Sequence, residues 1–161
     1  MRKQLIRCTF LFAFLLFAVG FTGTAAQADQ ITRTQYDKTY GVKSTTTVYF
    51  TTVPYRDGNE LYKITKVKGK IQVLSGSLQV LKPKIRLGQV GPGPSKSGNL
   101  TGQIKDYTIS GKTLSYTIYP PKTWKPVLLG SPYSRVGATV TATIKRGTKT
   151  WSFKQTNAQL K

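Results

Sequence analysis

From Gly137 to Phe153 the chain alternates. Val140, Ala142, Ile144, Trp151 and Phe153 mark one side of the pattern, and threonine, serine and lysine fill the other. A period of two places successive side chains on opposite faces of a strand. No stretch after residue 28 sustains the helical period of about 3.6 residues beyond two turns. The same signature, rich in Thr, Val, Ile and Tyr and bounded by Gly and Pro, recurs near 45–55, 60–67, 70–74, 78–87, 103–109, 113–119, 138–145 and 148–154. Such residues suit a pleated, half-buried surface. The reading is an all-β domain, an antiparallel sandwich or barrel of about eight strands.

Turn chemistry predicts three hairpins. A two-residue Arg146-Gly147 tip sets Ala142 opposite Trp151 and Val140 opposite Phe153, with the Thr/Lys face outward. A Gly111-Lys112 tip pairs Ile109 with Leu114 and Tyr107 with Tyr116. Arg56-Asp57-Gly58-Asn59 is a third turn, but neither register of its flanks separates apolar from polar residues. Between Val80 and Leu81 the apolar parity switches from even to odd. A switch of this kind implies a bulge or bend, the device by which a strand passes from one sheet to another. Two stretches read as loops: Gly88–Gly102, with Gly, Pro or Ser at nearly every step, and the proline-stiffened segment 120–136.

The first 28 residues have the three parts of a secretory leader. Arg2, Lys3 and Arg7 precede an apolar run from Cys8 to Phe21, and Ala26-Gln27-Ala28 offers a cleavage site before Asp29. The run is shorter than the roughly 20 residues that span a bilayer, so no integral membrane segment is expected after cleavage. The leader carries off the only cysteine and the only methionine. The domain, 29–161, must then hold together without disulfides, which suits an exported bacterial protein.

Charge is the strongest functional signal. Of 25 Lys and Arg, three precede Asp29, leaving 22 against five acids and a net charge of +17. Solubility is served by a magnitude of about 2–8. The excess predicts attraction to polyanions that fades as salt rises. Lys63, Lys66, Lys68, Lys70, Lys82, Lys84 and Arg86 fall in a stretch without an acid between residues 61 and 105, and form the candidate binding strip. Lysines on exposed strands also protect edges from aggregation, which accounts for part of the cluster. Lys outnumbers Arg, and Lys acts as a hydrated point charge rather than a bidentate reader, so loose attraction to a charged polymer is favoured over base-specific recognition. Trp124, between Lys122 and Pro126, is the candidate aromatic contact, able to stack on a sugar or base or to cap the sandwich.

Enzymatic readings are limited by inventory. There is no histidine, and no cysteine remains after cleavage, which removes the usual zinc ligands and the Ser-His and Cys-His pairs. A hydrolase on this scaffold would rest on Glu60 and Asp106. Gly91-Pro-Gly93 lacks the Lys-Ser/Thr of a phosphate loop. No metal or cofactor is expected. The sequence therefore predicts a secreted, non-catalytic binder of anionic extracellular polymers such as cell-wall teichoic acid or acidic polysaccharide, with non-specific nucleic acid as a further partner. The competing class is a secreted antagonist, either a cationic antibacterial protein or an inhibitor of an acidic extracellular enzyme.

Overall fold

The computed structural model describes residues 29–95 and 99–156. The expected leader at 1–28 lies outside them. Among the described residues, nine strands form two antiparallel sheets. The first sheet runs β1 (Asp29–Tyr36), β2 (Val42–Pro54), β3 (Glu60–Val73), β6 (Ser115–Ile118), with β7 (Val127–Leu128) also on β3. The second runs β5 (Leu100–Thr108), β4 (Gln79–Pro92), β8 (Arg135–Arg146), β9 (Lys149–Thr156). Among the described residues, Arg56–Gly58 is a single 3-10 turn, and no helix is long and apolar enough to cross a membrane.

The two sheets pack face to face as the alternation predicts. Val42, Val48, Ile64, Val67 and Ile71 of the first sheet meet Ile85, Leu87, Val136, Val140 and Ile144 of the second in one core. Burying a side chain of this size is worth about 1.5–3 kcal/mol, so the sandwich needs no covalent staple. Polar residues also face inward. Gln89 reaches across from β4, accepts from the Ile64 N–H at 2.7 Å and donates to the Lys125 carbonyl at 2.6 Å. The Ile64 amide lies at a bulge in β3, where Tyr49 pairs with Lys66 but Phe50 pairs with Ile64, leaving Thr65 extra. On the turn side of that bulge Leu61 and Ile64 are both buried although their parity differs, so neither simple register fits the Arg56–Asn59 hairpin.

Several expectations need correction. Gly88–Gly102 is mostly ladder: β4 continues through Gly88, Gln89, Val90 and Gly91, paired with both β5 and β8 as far as Val90. Glycine outside and glutamine inside hid the alternation there. The segment 120–136 contains β7 and the first residues of β8. Residues 60–67 and 70–74 are one strand, because Gly69 pairs with Thr46 on one side and Tyr116 on the other. The Gly111-Lys112 hairpin does not form. Tyr107 pairs with Ile85 in one sheet and Tyr116 with Gly69 in the other. Between them the chain crosses the sandwich, with Ile109 buried and its N–H on the Pro83 carbonyl at 2.9 Å.

The parity switch in β4 is a bulge, with Leu81 opposite Thr143 and Lys84 opposite Thr141. Lys82 takes φ +48° there, yet the strand stays in its sheet rather than crossing. In the β8–β9 hairpin the tip is Gly147-Thr148, with Gly147 at φ +56°. The register slides by two residues from the predicted one, so Ala142 faces Phe153 and Ile144 faces Trp151. A slip of two preserves faces, and the Thr/Lys side remains outside.

Candidate functional site

The seven basic residues of the predicted strip do not form one strip. β3 and β4 belong to different sheets. Lys66, Lys68 and Lys70 alternate with buried Val67 and Ile71, which turns them to the outer face of the first sheet. Lys84 and Arg86 alternate with buried Ile85 and Leu87, which turns them to the outer face of the second. Lys82 sits in the β4 bulge beside them. The loop between β3 and β4 carries the chain over the sandwich edge, so neighbours in sequence end on opposite sides.

On the first sheet, register arranges the lysines among hydroxyls. Thr32, Thr47, Lys68 and Thr117 form one cross-strand row, and Thr34, Thr45, Lys70 and Ser115 the next. Thr32 and Thr47 share a hydrogen bond of 2.8 Å, and Thr34 and Thr45 one of 3.1 Å. Lys66 lies opposite Tyr49 with its ammonium 4.2 Å from the ring centroid, and Lys63 lies opposite Thr51. Lys43 extends the face over Tyr36, at 5.6 Å. None of these rows contains a carboxylate. Residues two apart on a strand are about 6.6 Å apart, so Lys66, Lys68 and Lys70 present an evenly spaced column of positive charge.

The second sheet's outer face is of another kind. Gly88 pairs with Gly137, leaving backbone where its neighbours carry side chains. Arg86 beside this gap makes a two-pronged contact with Asp106, Nε to Oδ1 at 2.6 Å and an Nη to Oδ2 at 2.8 Å. The hydrogen bonds to Arg86 hold the Asp106 carboxyl below its usual range, and Asp106 in turn raises the guanidinium. Both side chains are more than half or about half exposed, so the pair adds little stability. Over the gap lies a notch of about 400 Å³, bordered by Val90, Ile104, Arg135 and Lys154. A second notch of about 400 Å³, reaching Lys84 and Thr141, shares Arg86, Thr139 and Lys154 with it. Sequence reading missed Arg135 and Lys154 because neither belongs to a charge run; only the pairing of β8 with β4 and β9 brings them to Arg86.

Trp124 is no surface platform. It is 7% exposed and packs in the core. The Trp124 N–H closes a turn onto the Pro121 carbonyl at 3.0 Å. Next to it, the Lys125 backbone is clamped: its N–H donates to Gln103 Oε1 at 2.6 Å, and its carbonyl accepts from Gln89 and Gln103. The stiff loop is thereby pinned with its indole inward.

Glu60 heads β3 in the first sheet, whereas Asp106 lies on the second, bound to Arg86. The two carboxylates do not flank a common cleft. No protein-family model matches the chain, and no curated protein or solved structure is significantly similar to it.

Proposed function

We propose that the protein is an exported, non-catalytic module that binds anionic polymers outside the cell, with the outer face of the first sheet as its contact surface. The observation that supports this reading is the Lys66–Lys68–Lys70 column, evenly spaced, flanked by rows of hydroxyls and free of carboxylates. An extended polyanion laid along β3 meets a cation about every 6.6 Å, while the threonines offer hydrogen bonds to its oxygens. Point charges on flexible stems match charge density rather than fine geometry. The net charge of +17 on residues 29–161 draws the polymer in from a distance.

The test is a salt titration with poly(glycerol phosphate), the backbone of teichoic acid. Binding is expected at low salt, with log K falling linearly against log salt. Replacing Lys66, Lys68 and Lys70 by Gln should reduce the slope by about 2–3, near 0.7–0.9 for each lost contact. Absence of binding at low salt, or an unchanged slope in the triple variant, rejects the reading.

A further inference from the structure

The trough on the second sheet combines features that a bare phosphate chain does not use. Its floor is the Gly88–Gly137 pair, where a flat ring can approach the backbone. One wall is apolar: Val90 and Ile104, the latter 59% exposed. Beyond the floor lie hydroxyl donors and acceptors, Thr139 and Thr156, and a cation stands toward each end, Arg135 opposite Val90 in the ladder and Lys154 opposite Thr141. Neither cation has an acidic partner among the described residues. Asp106 adds an acceptor held beside a donor. Arg86 uses its Nε and one Nη on this carboxylate, leaving further N–H groups and further oxygen lone pairs directed to solvent.

A carboxylate in the rim repels a phosphate polymer but serves a ring of hydroxyls, which both donate and accept. Unpaired cations select a ring that also carries negative charge. An apolar wall beside a bare backbone floor suits the C–H face of a sugar. We infer that this trough is a second binding site, for an acidic polysaccharide of the uronate type. One sugar ring lies over Gly88 and Gly137, its carboxylate toward Arg135 and its hydroxyls toward Arg86 and Asp106, and a ring further along β4 turns its carboxylate toward Lys154. The joined notches extend along β4 from Val90 to Lys84, roughly 20 Å at the rise of a strand, long enough for several rings. Each notch falls within the ~300–1,000 Å³ of ordinary ligand sites. The inference rests on the polyanion-binding reading for the sign of the ligand's charge, but places the ligand on the opposite face.

Gly88 supplies the test. A Cβ built there meets nothing within 4 Å, and β-branched residues favour strands. Gly88→Val therefore fills the trough without crowding the fold. Oligogalacturonate, its fully methyl-esterified counterpart and poly(glycerol phosphate) are titrated calorimetrically into the wild type, Gly88→Val, and the Lys66/Lys68/Lys70→Gln variant at one salt concentration. The wild type should bind oligogalacturonate and prefer it to the methyl ester by about tenfold or more. Gly88→Val should lose about tenfold for oligogalacturonate and keep its affinity for poly(glycerol phosphate). The lysine variant should show the reverse. Should Gly88→Val fail to fold, Arg135→Gln with Lys154→Gln replaces it, with the same expected loss. Full oligogalacturonate affinity in the trough variant, or equal binding of the ester, overturns the inference. Binding of poly(glycerol phosphate) alone overturns it while sparing the broader reading, and binding of neither overturns both.

Discussion

The Tyr116 hydroxyl lies 2.6 Å from Thr46 Oγ1, across the bare backbone of Gly69. Thr46, Gly69 and Tyr116 occupy one cross-strand row on the inner face of the first sheet. Only a glycine in the middle lets the phenol lie across β3. The second sheet completes the cluster. Gln155 Oε1 accepts from Ser44 at 2.6 Å and from Thr46 at 2.9 Å, and its Nε2 donates to the carbonyls of Arg33 and Ser44. A polar bridge thus joins β9 to β2 where an ordinary sandwich would place aliphatic side chains. Buried polar groups are tolerated when they are satisfied, and all four hydrogen-bonding positions of the Gln155 amide are filled.

Removing Gln155 should therefore cost more than removing the phenol oxygen. Gln155→Leu takes an acceptor from the Ser44 and Thr46 hydroxyls and a donor from the carbonyls of Arg33 and Ser44, and should lower stability by about 2–4 kcal/mol. Tyr116→Phe leaves Thr46 still bonded to Gln155, and should cost about 1 kcal/mol. Urea unfolding of the two variants measures the difference. Equal costs would mean that Gln155 does not bridge the sheets.

Gly69 and Gly88 occupy ladder positions in neighbouring strands of the sequence, yet should respond oppositely to a methyl group. A Cβ at Gly69 runs into the Thr45 carbonyl and the Tyr116 ring. Backbone cannot yield as a flexible side chain can, so Gly69→Ala should destabilise by about 1–3 kcal/mol, the range for overpacking. Gly88→Ala meets open space, and should leave the thermal midpoint unchanged or raise it.

Burial pushes the Tyr116 phenol up to about 12, against an ordinary value of 10.0, even though hydrogen bonds from Thr46 and Ser44 work the other way. The folded state thus holds this proton more tightly than the unfolded chain. The stabilisation is intact below pH 10 and disappears as pH rises through about 12. Two units correspond to about 2–3 kcal/mol. Wild-type stability should fall across that window, while Tyr116→Phe should show a shallower alkaline decline. Chemical denaturation at stepped alkaline pH reads both curves.

Alternation made the sandwich legible, and the same rule marks where legibility stopped. Period two identified β8 and β9 because Val140, Ile144 and Phe153 are large and apolar, and faces survived the two-residue slip of register. It failed at Gly88–Val90, where the inward residue is Gln89 and the outward one has no side chain; the partner of Gln89 is an amide in the other sheet. It failed again at Tyr107–Tyr116, since a Gly-Lys tip with matched flanks describes a hairpin as well as a crossing. β1 was missed because an edge strand shows only one apolar inward residue, Ile31. The lysines were found as residues but not as a surface. Which side of a sandwich a strand faces depends on sheet membership, and that is set by pairings far apart in sequence. Arg135 and Lys154 join Arg86 only through two such pairings.

Asp37 offers a further test, at the opposite end of the pH scale. It is buried in the turn between β1 and β2, and its carboxylate accepts from five donors. Gly41 and Val42 N–H reach Oδ1 at 2.8 Å each. The Thr39 N–H, the Thr39 hydroxyl and the Trp151 indole N–H reach Oδ2 at 3.1, 2.7 and 3.1 Å. Burial raises the pKa of this carboxyl, but the hydrogen bonds outweigh it and hold the net value below 3.8. A depressed folded value means that the stabilisation is present above 3.8 and is lost as pH falls through the folded value. Because Trp151 is a direct partner, its fluorescence should report the protonation locally, before the whole domain unfolds. In Asp37→Asn the amide nitrogen cannot accept from Thr39 or Trp151, so the variant should be less stable than the wild type at neutral pH. The gap between them should narrow as pH falls below 3.8 and through the folded value, where the wild-type carboxylate takes up its proton. A gap independent of pH would show that the charge on Asp37 does not hold the turn against β9.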